Sequence, residues 1–188
     1  MSALASKGIA NVLVTRRLTL RRPLAIDAES MAQALSNPKV SRNLAKVPHP
    51  YSVDDAIAWI KSNSNNPCVY TIHRERLIGV VSIANGPDMP KLGYWLDEGA
   101  WGQGFMTEAA RAAIAQAFRV FEADAIGSYA IADNDPSLNI MAKLGFEHTG
   151  RGTVFNHTRG EGYPTIKTTL DRSVFERKFG SLGVVQAA

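Results

Sequence analysis

Leu92-Gly-Tyr-Trp-Leu-Asp-Glu-Gly-Ala-Trp-Gly-Gln-Gly-Phe-Met-Thr-Glu-Ala-Ala-Arg111 is the stretch around which the rest of the chain is read. Leu92 to Leu96 has the aromatic and aliphatic composition of a buried strand. Glycines at 99, 102 and 104 then mark a tight loop. From Met106 the period changes: Met106, Ala109, Ala110, Ala113, Ile114, Ala117, Phe118 and Phe121 form one helical stripe. Glu108, Arg111, Gln116, Arg119 and Glu122 fall on the other side. Strand, Gly-rich loop and helix N-terminus together make a nest of backbone amides suited to phosphate. A plain strand-to-helix connection that merely uses glycine has the same pattern. A Walker loop is excluded, because no Gly-Lys is followed by Ser or Thr here. A dinucleotide loop fails as well, since Thr107 stands where the third small residue is needed.

Two blocks carry a family resemblance. Trp101-Gly-Gln-Gly-Phe-Met-Thr-Glu-Ala109 resembles the acetyl-CoA pyrophosphate loop of the GNAT superfamily of N-acetyltransferases, Gln/Arg-x-x-Gly-x-Gly/Ala. Trp101 occupies the Gln/Arg place and Met106 the final Gly/Ala place, so both ends depart from the broad pattern. A Trp at the first place is familiar in the RimJ/RimL branch, which acetylates ribosomal-protein N-termini. The second block, Asn134-Asp-Pro-Ser137 continuing to Lys143-Leu-Gly145-Phe146, is similar to that branch's Asn-x-x-Ser…Glu-Lys-Leu-Gly-Phe element. The similarity spans residues 15 to 172.

The resemblance implies acetyl-CoA as co-substrate, no metal, and an amine-bearing acceptor attacked directly in a ternary complex. Acetyl transfer requires a held donor, a neutral amine, a stabilised oxyanion and a protonated leaving thiolate. Trp101, Gly102, Gln103, Gly104, Phe105, Met106 and Thr107 form the implied donor loop, with the amides from Gln103 to Thr107 facing phosphate. The family's oxyanion amide, at a bulge ending the central strand, corresponds to about Leu96. Asn134 matches the residue that contacts the pantetheine arm, and is also a turn residue in its own right. The family's sulfur-side Tyr is replaced by Met141, which has no proton to give. The branch's substitute is Ser137, which is equally a residue suited to a helix start. Lys143 either meets CoA phosphate or favours the helix C-terminus. Tyr94, in the central strand, is the aromatic residue expected in the substrate slot, ahead of Tyr51, Trp59 and Tyr163.

A general base is not found. The family's usual positions hold Pro90 or Lys91 and Tyr129, none of them a carboxylate. Asp88, Asp97, Glu98 and Glu161 lie in loops near the expected site. An α-amine, with a pKa near 8, needs less help than a lysine near 10.4. The acceptor expected is therefore a protein or peptide N-terminus. The alternatives are a small-molecule amine (antibiotic, polyamine or amino acid) and a catalytically silent acetyl-CoA-binding module.

The remaining chain fits one α+β domain, with a mixed, mostly antiparallel central sheet flanked by helices. Residues 1 to 13 read as a flexible arm, 14 to 172 as the domain and 173 to 188 as a tail with a little helix. Leu18 and Leu20 alternate with polar residues in a first strand over Thr15 to Arg22. Asp27 to Leu35 reads as a helix capped by Asp27, and Val40 to Leu44 as a second short one. Ser52 to Asp55 has capping-box spacing ahead of a third helix with Ile57, Trp59 and Ile60 inward, or with Trp59 lining a pocket. Hairpins are expected at 68–84 and around Gly160-Glu-Gly162, with a strand at 125–132 and a helix closed by Gly145.

Composition is ordinary, at 188 residues, 45% hydrophobic and 20% charged. The formal charge of +4 is mild, and only Arg16, Arg17, Arg21 and Arg22 cluster, so nucleic acid is not an expected partner. Those arginines are expected to pair with acidic neighbours or to meet CoA phosphates. The single Cys68 excludes an internal disulfide and reads as an inert buried thiol. His49, His73, His148 and His157 lack metal-ligand spacing. No apolar run is long enough to span a membrane. A cytoplasmic monomer or homodimer is the expectation.

Overall fold

The computed structural model describes residues 10–45 and 47–180. The expected arm over residues 1–9 and the end from 181 to 188 lie outside the described residues. Eight strands form one sheet: β1 (Val12–Val14), β2 (Thr19–Arg21), β3 (Val69–His73), β4 (Leu77–Ala84), β5 (Lys91–Leu96), β6 (Ala125–Ile131), β7 (Glu147–Asn156) and β8 (Glu161–Asp171). Their order across the sheet is β1-β2-β3-β4-β5-β6-β8-β7. Every neighbouring pair is antiparallel except β5 and β6. The helices among the described residues are α1 (Ala28–Leu35), α2 (Pro38–Ser41), α3 (Val53–Ser62), α4 (Phe105–Phe121), α5 (Asp135–Leu144) and α6 (Arg172–Phe179). This is the α+β class expected from the sequence.

The packed region reaches past both limits read from the sequence. β1 starts at Val12 and pairs with β2, so residues 12 and 13 belong to a hairpin rather than an arm. Leu13 is fully buried, which is what holds that strand to the core. At the other end Phe175 of α6 is only 2% exposed, with its ring centroid 5.6 Å from that of Phe118. Arg172 adds a second tie, its guanidinium donating to the carbonyls of Phe118 and Ala123 at the end of α4. Burying a ring such as Phe118 contributes about 2–3 kcal/mol.

Two apolar layers flank the sheet. On one face α4, α5 and α6 pack through Met106, Ala109, Phe118, Met141 and Phe175 against Leu20, Tyr70, Ile83 and Leu92. On the other, α1, α2 and α3 pack through Met31, Leu35, Val40 and Ala56 against Val80 and Trp95. Three local expectations are corrected. Gln116, read as outward, is 1% exposed. α4 touches β3, β4, β5 and α5, so more of its circumference is covered than a single sheet-facing stripe. Asp27 does not cap α1. Its buried carboxylate accepts from the Leu24 amide at 2.8 Å and pairs with Arg21 at 2.6 and 2.8 Å. α2 starts earlier than expected because Asn37 caps it, accepting from the Lys39 amide, with Pro38 in its first turn.

The feature that positions the site is the parallel pair. β5 and β6 are in register only at Lys91–Gly127 and Leu92–Ser128. Beyond that point β5 stays with β4 as far as Gly79–Leu96, while β6 follows β8 along its whole length. A wedge therefore opens between Tyr94–Leu96 and Tyr129–Ile131. The β4–β5 register is unbroken to Leu96, so the expected bulge is absent from it, and the wedge comes from β6 diverging. Gly79 permits the close approach of β4 here: a Cβ on it would stand 2.3 Å from the Trp95 carbonyl oxygen.

Candidate active site

The glycine loop sits at the mouth of the wedge. Gly102 and Gly104 have φ of 73° and 76°, left-handed values that side-chain-bearing residues rarely adopt. The turn delivers the chain into α4, whose first internal bond runs from the Glu108 amide to the Gly104 carbonyl at 3.1 Å. The amides of Phe105, Met106 and Thr107 therefore have no acceptor within the helix, and these residues line the cleft. A helix N-terminus of this kind favours anions. Glu108 would oppose that field, but it is neutralised. Its carboxylate accepts from Thr15 Oγ1 at 2.7 Å, the Arg17 amide at 2.9 Å and Arg17 Nε at 2.7 Å. Burial pushes the Glu108 carboxyl up, but these hydrogen bonds outweigh it and hold it below its ordinary value.

Arg17 also lies 4.6 Å above the Phe105 ring centroid, which sets its positive charge beside the loop. Arg21 pairs with Asp27, and Arg22 donates to the carbonyls of Ser64 and Asn66. Trp101 has a physical task that the motif alone does not show. Its Nε1 donates to the Leu96 carbonyl at 2.9 Å, stapling the loop to the end of β5. Gln103 is held similarly, Nε2 donating to the Gly99 carbonyl at 3.1 Å.

The backbone of β5 faces the wedge. Asp97 donates to the Ile78 carbonyl at 2.9 Å, and antiparallel bonding alternates along the strand. The amides of Tyr94 and Leu96 are thereby turned away from β4 and toward the gap that β6 leaves.

Tyr94, Asn134 and Ser137 come together across that gap. The Tyr94 phenol lies 2.8 Å from Ser137 Oγ and donates to the Ser137 carbonyl at 3.1 Å. Burial pushes the Tyr94 pKa up to about 12, the Ser137 hydrogen bond pulling slightly the other way, so the phenol keeps its proton at neutral pH. Asn134 is the N-cap of α5, its Oδ1 accepting from the Ser137 amide at 3.2 Å. Ser137 is thus not the cap, and its hydroxyl is directed to Tyr94. Met141 is buried and accepts a hydrogen bond from Thr168 through Sδ at 3.2 Å. Lys143 is exposed, in the last turn of α5, and lines the cleft.

The cleft has a volume of about 930 Å³ and runs from the glycine loop through the wedge to the α1–α3 side. That is within the range of small-molecule sites. None of the four loop acids lines it. Asp97 pairs with Arg76 at 2.6 Å, Glu98 with Lys39 and Asn37, and Glu161 accepts from Tyr163, while Asp88 is exposed. The carboxylate that does line it is Asp55, read from the sequence only as a capping residue. Its Oδ2 accepts from Ser52 N and Oγ, as the capping box predicts. Met31, Leu35, Val40 and Trp95 also line the cleft and were not singled out from the sequence, where they read simply as core. Trp59, considered for either role, both packs on the second core and lines the cleft. Among the described residues no cluster of His, Cys, Asp and Glu could hold a metal ion, and no helix is long and apolar enough to cross a membrane.

Known proteins share this fold. The chain is 26% identical over 165 residues to the uncharacterized N-acetyltransferase YoaA of Bacillus subtilis, covering 82% of this chain and 93% of that one. A GNAT-family acetyltransferase structure from Bacillus anthracis superposes with a TM-score of 0.75 at 17% identity, covering 86% of this chain and 99% of the other. A structure of RimL, the ribosomal L7/L12 alpha-N-protein acetyltransferase, with coenzyme A gives 0.73 at 20% identity, covering 85% and 97%. Residues 17–147 match the family described as the Acetyltransferase (GNAT) domain, a span that contains the glycine loop, the wedge and the Asn134–Ser137 turn. The chain belongs to the GNAT acetyltransferase family and is an acyl-CoA-dependent N-acetyltransferase.

Proposed function

We propose that the enzyme transfers an acetyl group from acetyl-CoA to the free α-amine of a protein or peptide by direct attack. The observation that carries this reading is the wedge, spanned by the Tyr94–Ser137 pair and flanked by the edge of β5 from which β6 diverges. In this reading the amides at the start of α4 hold the pyrophosphate, and the Leu96 amide polarises the thioester carbonyl. The amine nitrogen bonds to that carbonyl carbon as the carbon–sulfur bond breaks. Ser137, backed by the protonated Tyr94, donates a hydrogen bond to the departing thiolate; the nitrogen gives its proton to water, and the thiolate takes one up from water to leave as the free thiol. Asn134 meets the pantetheine arm and Lys143 the CoA phosphates.

Among the described residues the one carboxylate lining the cleft is Asp55, at the start of α3 and held by Ser52, which favours an amine already substantially neutral near pH 8, the property of an α-amine. The fold similarity to an alpha-N-protein acetyltransferase points the same way. Acetyl-CoA turnover on three substrate sets tests it: peptides with a free N-terminus, the same peptides N-terminally blocked but carrying lysine, and small amines. The expected result is acetyl on the α-amine, located by mass spectrometry of the product. Acetylation confined to lysine or to small amines would overturn the proposal, and tight acetyl-CoA binding with no turnover on any amine would favour a silent module.

A further inference from the structure

The half of the cleft away from the glycine loop is walled by side chains that the transfer chemistry does not use. Met31 and Leu35 of α1, Val40 of α2, Tyr51, Trp59 of α3 and Trp95 of β5 line it. Met31, Leu35, Val40 and Tyr51 are buried in the second core, so this surface is fixed and apolar. Its polar contributions are Asn43, Ser82 and the Tyr51 phenol, whose pKa is pushed up to about 12 by burial and then by Asp55, and which is therefore neutral. Charge is sparse: the described lining residues include one carboxylate, Asp55, and one cation, Lys143, in the last turn of α5. Hydrogen bonds from Ser52 hold the Asp55 carboxyl below its ordinary value, so it is ionised at neutral pH.

A polyamine or an aminoglycoside would bring several cations to these walls with a single carboxylate to meet them, and each unpaired cation would lose its water uncompensated. An apolar side chain suffers no such loss and gains burial. We propose that this half of the cleft selects an acceptor whose first residue, the one bearing the α-amine, carries a large apolar side chain such as leucine or phenylalanine. Alanine, serine and lysine at that position are disfavoured. The inference rests on the α-amine reading above and narrows it to a substrate class.

Peptides identical except for a first residue of Leu, Phe, Ala, Ser or Lys, with spermidine alongside, provide the test. For the wild-type enzyme kcat/KM with Leu and Phe should exceed that with Ala and Ser by at least about tenfold, equivalent to about 1.4 kcal/mol. In a folded Trp59→Ala variant that ratio should fall toward one with the Kd for acetyl-CoA unchanged, and Trp59→Phe should restore most of it. N-terminal acetylation with equal rates across the peptides, or with Ala and Ser preferred, overturns the selectivity while leaving the α-amine reading intact. Acetylation of spermidine with no peptide turned over overturns both. An undiminished preference in folded Trp59→Ala removes this wall from the selecting surface. The wild-type ranking decides the matter even if the variant does not fold.

Discussion

Gly104 and Gly160 share a left-handed φ in unrelated places, 76° at the start of α4 and 75° in the turn between β7 and β8. Valine at either position forces an L-residue into the left-handed region, at a cost of about 1–2 kcal/mol. For a chain of this length that lowers Tm by about 2–8 °C. Collision adds nothing to either figure. A Cβ at Gly160 meets nothing within 4 Å, and one at Gly104 meets Arg17 Nη2 at 3.6 Å, an ordinary contact. The two variants should therefore be destabilised alike and differ in binding. At position 104 the added side chain stands beside the amides that open α4, in the space a pyrophosphate would need. Gly104→Val should raise the Kd for acetyl-CoA at least tenfold, about 1.4 kcal/mol, while Gly160→Val leaves it within about twofold. Titration calorimetry and thermal melts on the same samples provide both numbers. Equal acetyl-CoA affinity in two folded, equally destabilised variants would refute the phosphate-loop reading.

Ser137→Ala and Tyr94→Phe should each lower kcat roughly 10- to 100-fold with acetyl-CoA affinity kept, and the double variant should cost little more than either alone, because the two hydroxyls share one hydrogen bond. Wild-type turnover in Ser137→Ala would leave that hydroxyl without a chemical part. Asp88→Asn, Asp97→Asn, Glu98→Gln and Glu161→Gln should each cost less than the roughly 10²–10⁴-fold typical of a lost general base. A single folded, acetyl-CoA-binding variant beyond that range would identify a base among them. Alkaline pH should destabilise the fold. Burial, the leading cause in each case, pushes Cys68, Tyr51 and Tyr94 up to about 12 and also raises Tyr70 and Tyr129. Below about pH 8 these groups are protonated in both states. Above it the unfolded chain releases protons that the folded chain keeps, first from Cys68 and then from the tyrosines, so stability falls as pH rises from about 8 to 12. Tm should drop through that window and drop less steeply in Tyr94→Phe, and a flat profile would contradict the burial of these groups.

Much of the glycine-loop side of the cleft was legible because its physics is local. Two glycines before an amphipathic stripe specify a turn, a helix and a nest of amides within a few residues, and Pro136 with Gly145 brackets α5 as read. The β3–β4 hairpin was legible for the same reason, whereas the β1–β2 hairpin was read as an arm and a single strand. The side of the cleft walled by α1 to α3 was not, because Met31, Val40 and Trp95 come from separate elements and read individually as core, and Trp59 was open between core and pocket. Only the packing of α1, α2 and α3 on β4 and β5 turns them into a wall. Asp27 and Gln116 were misplaced by an equally non-local cause: Arg21 takes the carboxylate that a cap would have used, and the elements around α4 cover the side where Gln116 lies. The Tyr94–Ser137 bond joins residues far apart in sequence, which no spacing rule anticipates.

A crystal structure with bound acetyl-CoA is the most direct test of how the cleft works. The pyrophosphate oxygens should lie within hydrogen-bond distance of the amides from Gln103 to Thr107. The thioester should sit in the wedge between β5 and β6, its carbonyl at the Leu96 amide and its sulfur beside Ser137 Oγ. Acetyl-CoA bound with its pyrophosphate away from the start of α4, or with its thioester outside the wedge, would contradict the assignment.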